Sequence, residues 1–453
     1  MSPLGKVTIV KTFIMTPFNH LFASIPLPTR DFIKHFNDFL YKYLWDQKPD
    51  KISRIQITQD YLNGGLRMVN TENFIKAQKL TWFRRLLISN GSWVKIFESQ
   101  ICSIKKMTIL GPLWYRILSE RTKNDFWKEV LTALSEITEY QCLNFKDNCM
   151  LMSTPLWYNE TISNEVLFLP KWFNKNIYNI GDLLHENGQV LSKEDISKKF
   201  SFTNINILDY YRIRTILRIF ITQNKKGDTF KNFQPSIPHH ISVFFRTNFS
   251  SKDTYLFLNH VKSNYTQKNK WNLELDISLN DHTWKNIFHA CFKTLQDNDY
   301  IWFQYRTLNR ILGTQKYLCK INISDSSLCR ICEDQDESII HLFTTCRKTC
   351  ILWQDLKMWI QNVTNFETTF DPEVILFGYL QNDSDYLPIN TIILATKYYI
   401  FNCAYTSQPL NIFCLQNKIK AIYIEQKLLA KLNFKSQIFE RKWAKFSPIF
   451  INM

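Results

Sequence analysis

Cys329, Cys332, His341 and Cys346 are the residues of this chain best suited to coordination chemistry. The pattern Cys-x2-Cys-x8-His-x4-Cys gathers three thiols and one imidazole within eighteen residues. Cysteine sulfur at about 2.3 Å and histidine nitrogen slightly closer are the donors of a tetrahedral Zn2+ site, and four of them leave no open coordination position. The spacing therefore predicts a closed zinc knuckle that staples a fold, not a catalytic metal. Cys350 is the main rival for the fourth position and Cys319 a weaker one. Cys102, Cys142, Cys149, Cys291, Cys403 and Cys414 read as small buried hydrophobes. His239-His240 has no thiolate or carboxylate nearby and reads as a loop pair. Removing one ligand, by Cys329→Ser or His341→Ala, is expected to loosen residues 325 to 350 and leave distant helices folded.

A ligand set of this kind needs elements to carry it. The chain has 453 residues, 45% of them hydrophobic and 15% aromatic, enough apolar surface to outweigh the entropy of ordering. Its 10 Gly and 14 Pro fall below the usual shares of about 7% and 5%, which disfavours a turn-dense β sandwich. The expected fold class is mainly α and multi-helical, with the small CCHC knuckle near the C-terminal third.

Lys and Arg number 56 against 40 Asp and Glu, a net charge of +16 that attracts polyanions. RNA or DNA is the favoured partner. No polybasic cluster abuts an apolar anchor, so a membrane partner is not expected. Tyr398 to Asn417 carries no charge but too many polar groups for a membrane span. The odd number of cysteines, 11, does not suit a fully paired disulfide framework and points to a reducing, intracellular compartment, nucleus or cytoplasm. Lys11 interrupts the apolar opening segment, and no cleavage site follows, so no secretory signal is read there. No Gly-x-x-x-x-Gly-Lys or Gly-x-Gly-x-x-Gly loop occurs, and no small-molecule substrate is indicated.

Four segments are expected: 1–90, 91–290, 291–365 and 366–453. In the first, Phe32, Ile33, Phe36, Phe39, Leu40, Tyr43 and Leu44 recur at helical spacing, Gly64-Gly65 marks a tight turn, and a helix from Thr71 to about Leu87 carries Lys76, Lys79, Arg84 and Arg85. Those four either face phosphate or form a solvated basic face. The second segment has no internal repeat; Pro155-Leu156-Trp157, Trp172-Phe173 and Ile207 to Ile221 read as packing positions. Arg214 and Arg218 share one face of that last run, a loop follows over Gln223 to Asp228, and another spans Gln234 to His240. In the third segment a helix from Asp299 to Tyr317 bears Arg306, Arg310 and Lys316 beside Trp302, Phe303 and Tyr305, a mixture that suits phosphate neutralisation with base stacking, or else aromatics turned inward. Glu333, Asp334, Asp336 and Glu337 would repel phosphate from the knuckle loop, so contact is expected from its flanks. The last segment ends in a basic helix with a stripe of Leu415, Ile419, Ile422, Leu429 and Leu432. With Lys6 and Lys11 of the opening segment, Arg84, Arg85, Arg306, Arg310 and Lys316 make up the candidate nucleic-acid contacts.

Leu4-Gly5-Lys6 with Lys11, Phe39-Leu40-Tyr41-Lys42-Tyr43-Leu44-Trp45 and Asp60-Tyr61-Leu62-Asn63-Gly64-Gly65-Leu66-Arg67-Met68-Val69 resemble the start of the thumb in reverse transcriptases of non-LTR retrotransposons of the long interspersed element type. Pro155-Leu156-Trp157-Tyr158-Asn159, Ile180-Gly181-Asp182-Leu183 and Leu191-Ser192 resemble the connector that follows, and the Cys/His cluster, with Leu342-Phe343 inside it, resembles the family's terminal zinc knuckle. The order of these motifs spans nearly the whole chain. The resemblance implies a thumb, connector and knuckle that hold template RNA or target DNA during target-primed reverse transcription. Such enzymes are RNA-directed DNA polymerases whose [Phe/Tyr]-x-Asp-Asp turn holds two magnesium ions, and no such tetrapeptide occurs here. Asp371-Pro372-Glu373 has the wrong order for a restriction-like nuclease. No catalysis is therefore expected of the chain as it stands, which reads as a truncated copy or partial gene model, or as a relic whose zinc site only fixes a helical scaffold.

Overall fold

The computed structural model describes residues 1–453 apart from 228–229, 231–237, 247–248, 260–265, 296, 365, 381–385 and 452–453. Among the described residues 67% are helical and none lies in a strand. The mainly α, multi-helical class expected from composition is thus observed. Two compact units arise from an interleaved chain: one combines 1–12, 39–69 and 262–453, the other 13–38 and 70–261. This division cuts across the four consecutive segments expected from the sequence, because long-range packing and not chain order groups the helices.

The second unit holds two cores. One gathers Leu80, Phe83, Leu131 and Leu134 from the helices Thr71–Ile88 and Asp125–Leu143 with Phe244. Asn70 caps the first of these, its side chain accepting from Asn73 N at 3.1 Å, which satisfies an otherwise orphan backbone donor. The other core packs Trp157, Trp172, Leu183 and Leu217. The helix Ile207–Asn224 supplies Leu217 from a buried stripe that includes Tyr210, Ile213 and Phe220, while Leu208 and Ile219 remain exposed. Of the expected loop from Gln223, residues 223–224 still belong to that helix and Asp228 lies outside the described residues. Likewise 234–237 of the next expected loop lie outside them. His239 and His240 instead open a 3-10 helix, His239–Phe245. His240 is buried, with Nε2 3.1 Å from the Leu110 carbonyl and 3.3 Å from the Tyr115 hydroxyl, a core histidine whose burial depresses its pKa to about 3.

In the first unit, Gly64 adopts φ +74°, where a side chain would be strained, and a Cβ on Gly65 would lie 2.0 Å from the Gln59 carbonyl oxygen. The double glycine is thus the tight turn its sequence suggests. Tyr305 Oη donates to the Gly64 carbonyl at 3.1 Å and fixes the turn against the helix Asn298–Leu308.

The helix Leu387–Thr406 runs through the main core and is buried nearly all round. No helix among the described residues is long and apolar enough to cross a membrane. The one charge in this helix, Lys397, is 2% exposed; its Nζ donates to Gln304 Oε1 at 2.7 Å and to the Leu376 carbonyl at 2.9 Å. Burial pushes its pKa down to about 7. The sign follows from proton counting: between about pH 7 and the unfolded value of 10.5 the unfolded chain binds more protons, so this residue's cost to stability shrinks as pH rises through that window. Lys397→Met is therefore expected to gain most over the wild type at pH 7 and below, and the difference should narrow towards pH 10; urea unfolding of both proteins across that range checks it.

Candidate metal centre and its basic surroundings

The four ligands come from two local devices. Leu328 and Asp336 form an antiparallel bridge, and the Cys329 amide donates to the Gln335 carbonyl at 2.8 Å. Between them the chain turns tightly, Glu333 taking φ +59° while its amide donates to the Cys329 carbonyl at 2.8 Å. That turn brings Cys329 and Cys332 to one side. His341 opens the π-helical turn His341–Thr345, and Cys346 stands directly before the helix Arg347–Thr364. The donor atoms of Cys329, Cys332, His341 and Cys346 all lie within 4.8 Å of one another, and all four residues are buried. Cys332 Sγ is 3.2 Å from His341 Nε2. Donors spread tetrahedrally about 2.3 Å from one ion would sit roughly 3.7 Å apart, so this cluster can hold a metal ion with little rearrangement.

The electrostatics agree with that use. A shared hydrogen bond from Cys329, with further bonds from the backbone amides of Thr349 and Lys348, holds the Cys346 thiol below its ordinary pKa. A thiolate at a helix N-terminus is the expected result of aligned amide dipoles. The same shared bond, with burial, pushes the Cys329 thiol up, and a metal ion binding there would displace its proton. Thr345 Oγ1 lies 3.3 Å from His341 Nδ1 and orients the ring with Nε2 towards the sulfurs. Cys350, the rival ligand, lies outside the cluster and donates to the Thr344 carbonyl at 3.4 Å; Cys319 is also outside it.

No protein-family model matches the chain, and no curated protein matches it. What the chain can do must be read from its own side chains.

The knuckle is not a separate bead. Leu342 and Phe343, between its ligands, are fully buried in the main core; Phe343 meets Phe303 edge-on at 6.0 Å and its carbonyl accepts from Trp353 Nε1 at 2.8 Å. Nor is the acidic loop simply a repelling face. Glu337 is 0% exposed: Oε2 accepts from the Arg330 amide at 2.9 Å and Arg330 Nε at 3.1 Å, and Oε1 accepts from the Gln315 amide at 3.0 Å. Asp336 is engaged by Ser327 and by Lys316 at 3.3 Å, and these hold its carboxyl below the usual range, Ser327 first.

The candidate phosphate contacts have different fates. Lys6 is 5% exposed, donating to the Leu44 carbonyl at 3.4 Å and pairing with Asp46, so it is a structural group and not a surface one. Lys11 is partly buried, its pKa lowered first by that burial and then by Arg67. Lys76 pairs with Glu72 and Glu136, and Lys79 is 1% exposed against Glu129 at 3.1 Å. Arg84 clamps the Phe244 and Arg246 carbonyls at 2.6 and 2.7 Å, whereas Arg85 is exposed over the Trp82 ring. The expected helix from Asp299 to Tyr317 is two helices, Asn298–Leu308 and Gln315–Lys320, parted where Arg310 takes φ +59° and Leu312 turns into the core. Phe303 and Tyr305 are core residues at 0% and 2% exposure, so neither is free to stack on bases. Arg306 is half-buried between the Trp302 and Phe401 rings, at 5.9 and 5.8 Å. Arg310 pairs with Glu274 over the Trp271 ring, and Lys316 is exposed beside Asp336. The basic helix Ile412–Leu432 does not end the last segment, since helices Ser436–Trp443 and Pro448–Ile451 follow it; along it Leu415, Ile419 and Ile422 are buried but Leu429 and Leu432 are exposed, so the expected stripe packs only over its first half.

Embedding in the core widens the consequence expected of losing a ligand. Chelation, or Cys329→Ser, should raise amide exchange beyond 325–350 into Asn298–Leu308 and Arg347–Thr364, and exchange mass spectrometry with and without chelator reads this out. Glu337→Gln leaves the Arg330 guanidinium without its counter-charge and is expected to cost about 3–5 kcal/mol, measured by denaturant unfolding.

Proposed function

We propose that this chain is a nucleic-acid-binding region without a catalytic step of its own, of the kind found at the C-terminal end of non-LTR retrotransposon reverse transcriptases. In this reading it holds template RNA or target DNA for target-primed reverse transcription. The observation that carries the proposal is the convergence of Cys329, Cys332, His341 and Cys346 on one point inside a helical, strongly basic chain. Three thiols and an imidazole suit Zn2+ in preference to oxygen-seeking cations, and four donors close its tetrahedron. Bound there, zinc would supply rigidity. The chain's own residues would do the holding: exposed Arg85 and Lys316 offer charge to phosphate, and Glu337 of the cluster's loop is hydrogen-bonded to the start of the helix Gln315–Lys320 that bears Lys316. The eleven cysteines, all free, suit a reducing compartment, and we place the protein in the nucleus or cytoplasm, with nucleic acid and neither membrane nor small molecule as partner.

The second reading is a helical scaffold with a purely structural zinc site. It is favoured by the internal use of Lys6, Lys79 and Arg84, which removes three cations from the surface. A salt series separates the two. Binding of labelled RNA by the full chain should weaken with added salt at about 0.7 log units per log unit for each phosphate neutralised, and a scaffold should bind no better than an unrelated protein of equal charge. Elemental analysis should return one zinc per chain.

A further inference from the structure

Beside the metal cluster, within the first unit, lies an open groove of about 770 Å³ lined by both the helix Gln315–Lys320 and the knuckle loop. Lys51, Lys270, Arg310, Lys316 and Lys320 line it, with Tyr317 among them and Ile52, Ile311 and Ile339 as apolar wall. Its carboxylate is Glu274, which pairs with Arg310; Lys316 is answered by Asp336 from outside the lining. Among the described residues Lys51, Lys270 and Lys320 form no ion pair, although Asp46 acts on Lys51 at longer range. Burial first, and then the neighbouring Lys48 and Arg306, lower the pKa of Lys51.

Two further groups in the wall ask for a ligand with both polarities. Arg310 Nη1, a donor, and Gln267 Oε1, an acceptor, are buried without a hydrogen-bond partner among the described residues, and both residues line the groove. Unsatisfied buried groups are costly, so a ligand that drew either side chain a short way into the groove would gain by satisfying it. A phosphate alone would answer the arginine and the lysines. The amide oxygen requires a donor as well, which an exocyclic amine, a ring N–H or a 2′-hydroxyl provides. A half-exposed tyrosine and isoleucine side chains beside the cations suit unstacked bases, which a duplex does not present.

We infer that this groove is the seat of a single-stranded nucleic-acid segment and that the metal cluster sets its shape. The inference rests on the nucleic-acid reading above and adds its location. The coupling is direct: Glu337, from the loop between Cys332 and His341, receives the Gln315 amide at 3.0 Å, and its carbonyl receives the Lys316 amide at 3.2 Å. Arg330, between the first two ligands, reaches the Gly313 carbonyl at 3.1 Å. Ser338 and Ile339 of the same loop are themselves groove wall. The helix that presents Lys316, Tyr317 and Lys320 is therefore hung from the metal loop.

The test uses the full chain and fluorescence anisotropy of short oligo-uridine and oligo-deoxythymidine over a salt series. Lys270→Glu with Lys320→Glu should weaken binding at least about tenfold and lower the salt slope by about 1.4, two single-strand phosphates' worth. The control pair Lys427→Glu with Lys431→Glu, exposed on Ile412–Leu432, makes the same charge change elsewhere and should alter affinity no more than about twofold. Equal losses in both variants, or undiminished binding in the first, would overturn the groove while leaving the nucleic-acid reading intact. A wild type that binds neither strand would remove that reading and the groove with it. Displacement by inorganic tripolyphosphate at equal phosphate concentration would make the groove a small-polyphosphate site and defeat the strand assignment. Chelation of the metal should reproduce the groove variant's loss in affinity; binding unchanged by chelation would sever the groove from the cluster.

Discussion

The carboxylate of Glu337 is the interaction on which the organisation of the metal region depends. It is fully buried, and a buried carboxylate is tolerated only when charge and hydrogen bonds replace the water it has lost. Arg330 supplies the charge, and the amides of Arg330 and Gln315 supply further donors. Since Arg330 lies between Cys329 and Cys332 and Gln315 begins a separate helix, satisfying one anion fixes the turn of the Cys/His cluster and the neighbouring helix together. The desolvation cost of such a pair offsets much of its attraction, so its net contribution to stability is small even though removing one partner alone is costly.

Around that point the fold has little freedom. Leu342 and Phe343 enter the main core between His341 and Cys346, so the ligand geometry and core packing are solved by the same few residues. Lys397 imposes a similar demand on the central helix, where its ammonium is met by the Gln304 amide oxygen and a backbone carbonyl. Both arrangements place a polar group in an apolar interior and then satisfy it locally, which ties helices distant in sequence to one another.

Much of this was legible in the residues. Cys-x2-Cys-x8-His-x4-Cys singled out the cluster, since soft donors at close spacing have few other uses, and the double glycine marked its turn because only glycine tolerates both the φ at Gly64 and the approach of Gln59 to Gly65. Scarce glycine and proline with apolar periodicity gave a helical protein. Sequence reasoning was weakest for cations. A lysine on a helix reads as solvated or phosphate-facing, yet Lys6, Lys79 and Arg84 are spent on carbonyls and carboxylates supplied by remote segments. It also missed Lys51, Lys270 and Lys320, which stand far apart in the chain and carry no shared motif.

What the sequence determined by itself was local: which residues could ligate a metal, where the backbone must turn, and which stretches favour helix. These follow from donor chemistry, steric limits on φ and ψ, and short-range periodicity, all set within a few residues. The tertiary structure alone decided which charges stay free, which aromatics face inward, and that Asp299 to Tyr317 breaks in two when Leu312 is drawn into the core. Those outcomes depend on burial and on partners brought in from elsewhere in the chain, and long-range packing is the only agent that supplies either.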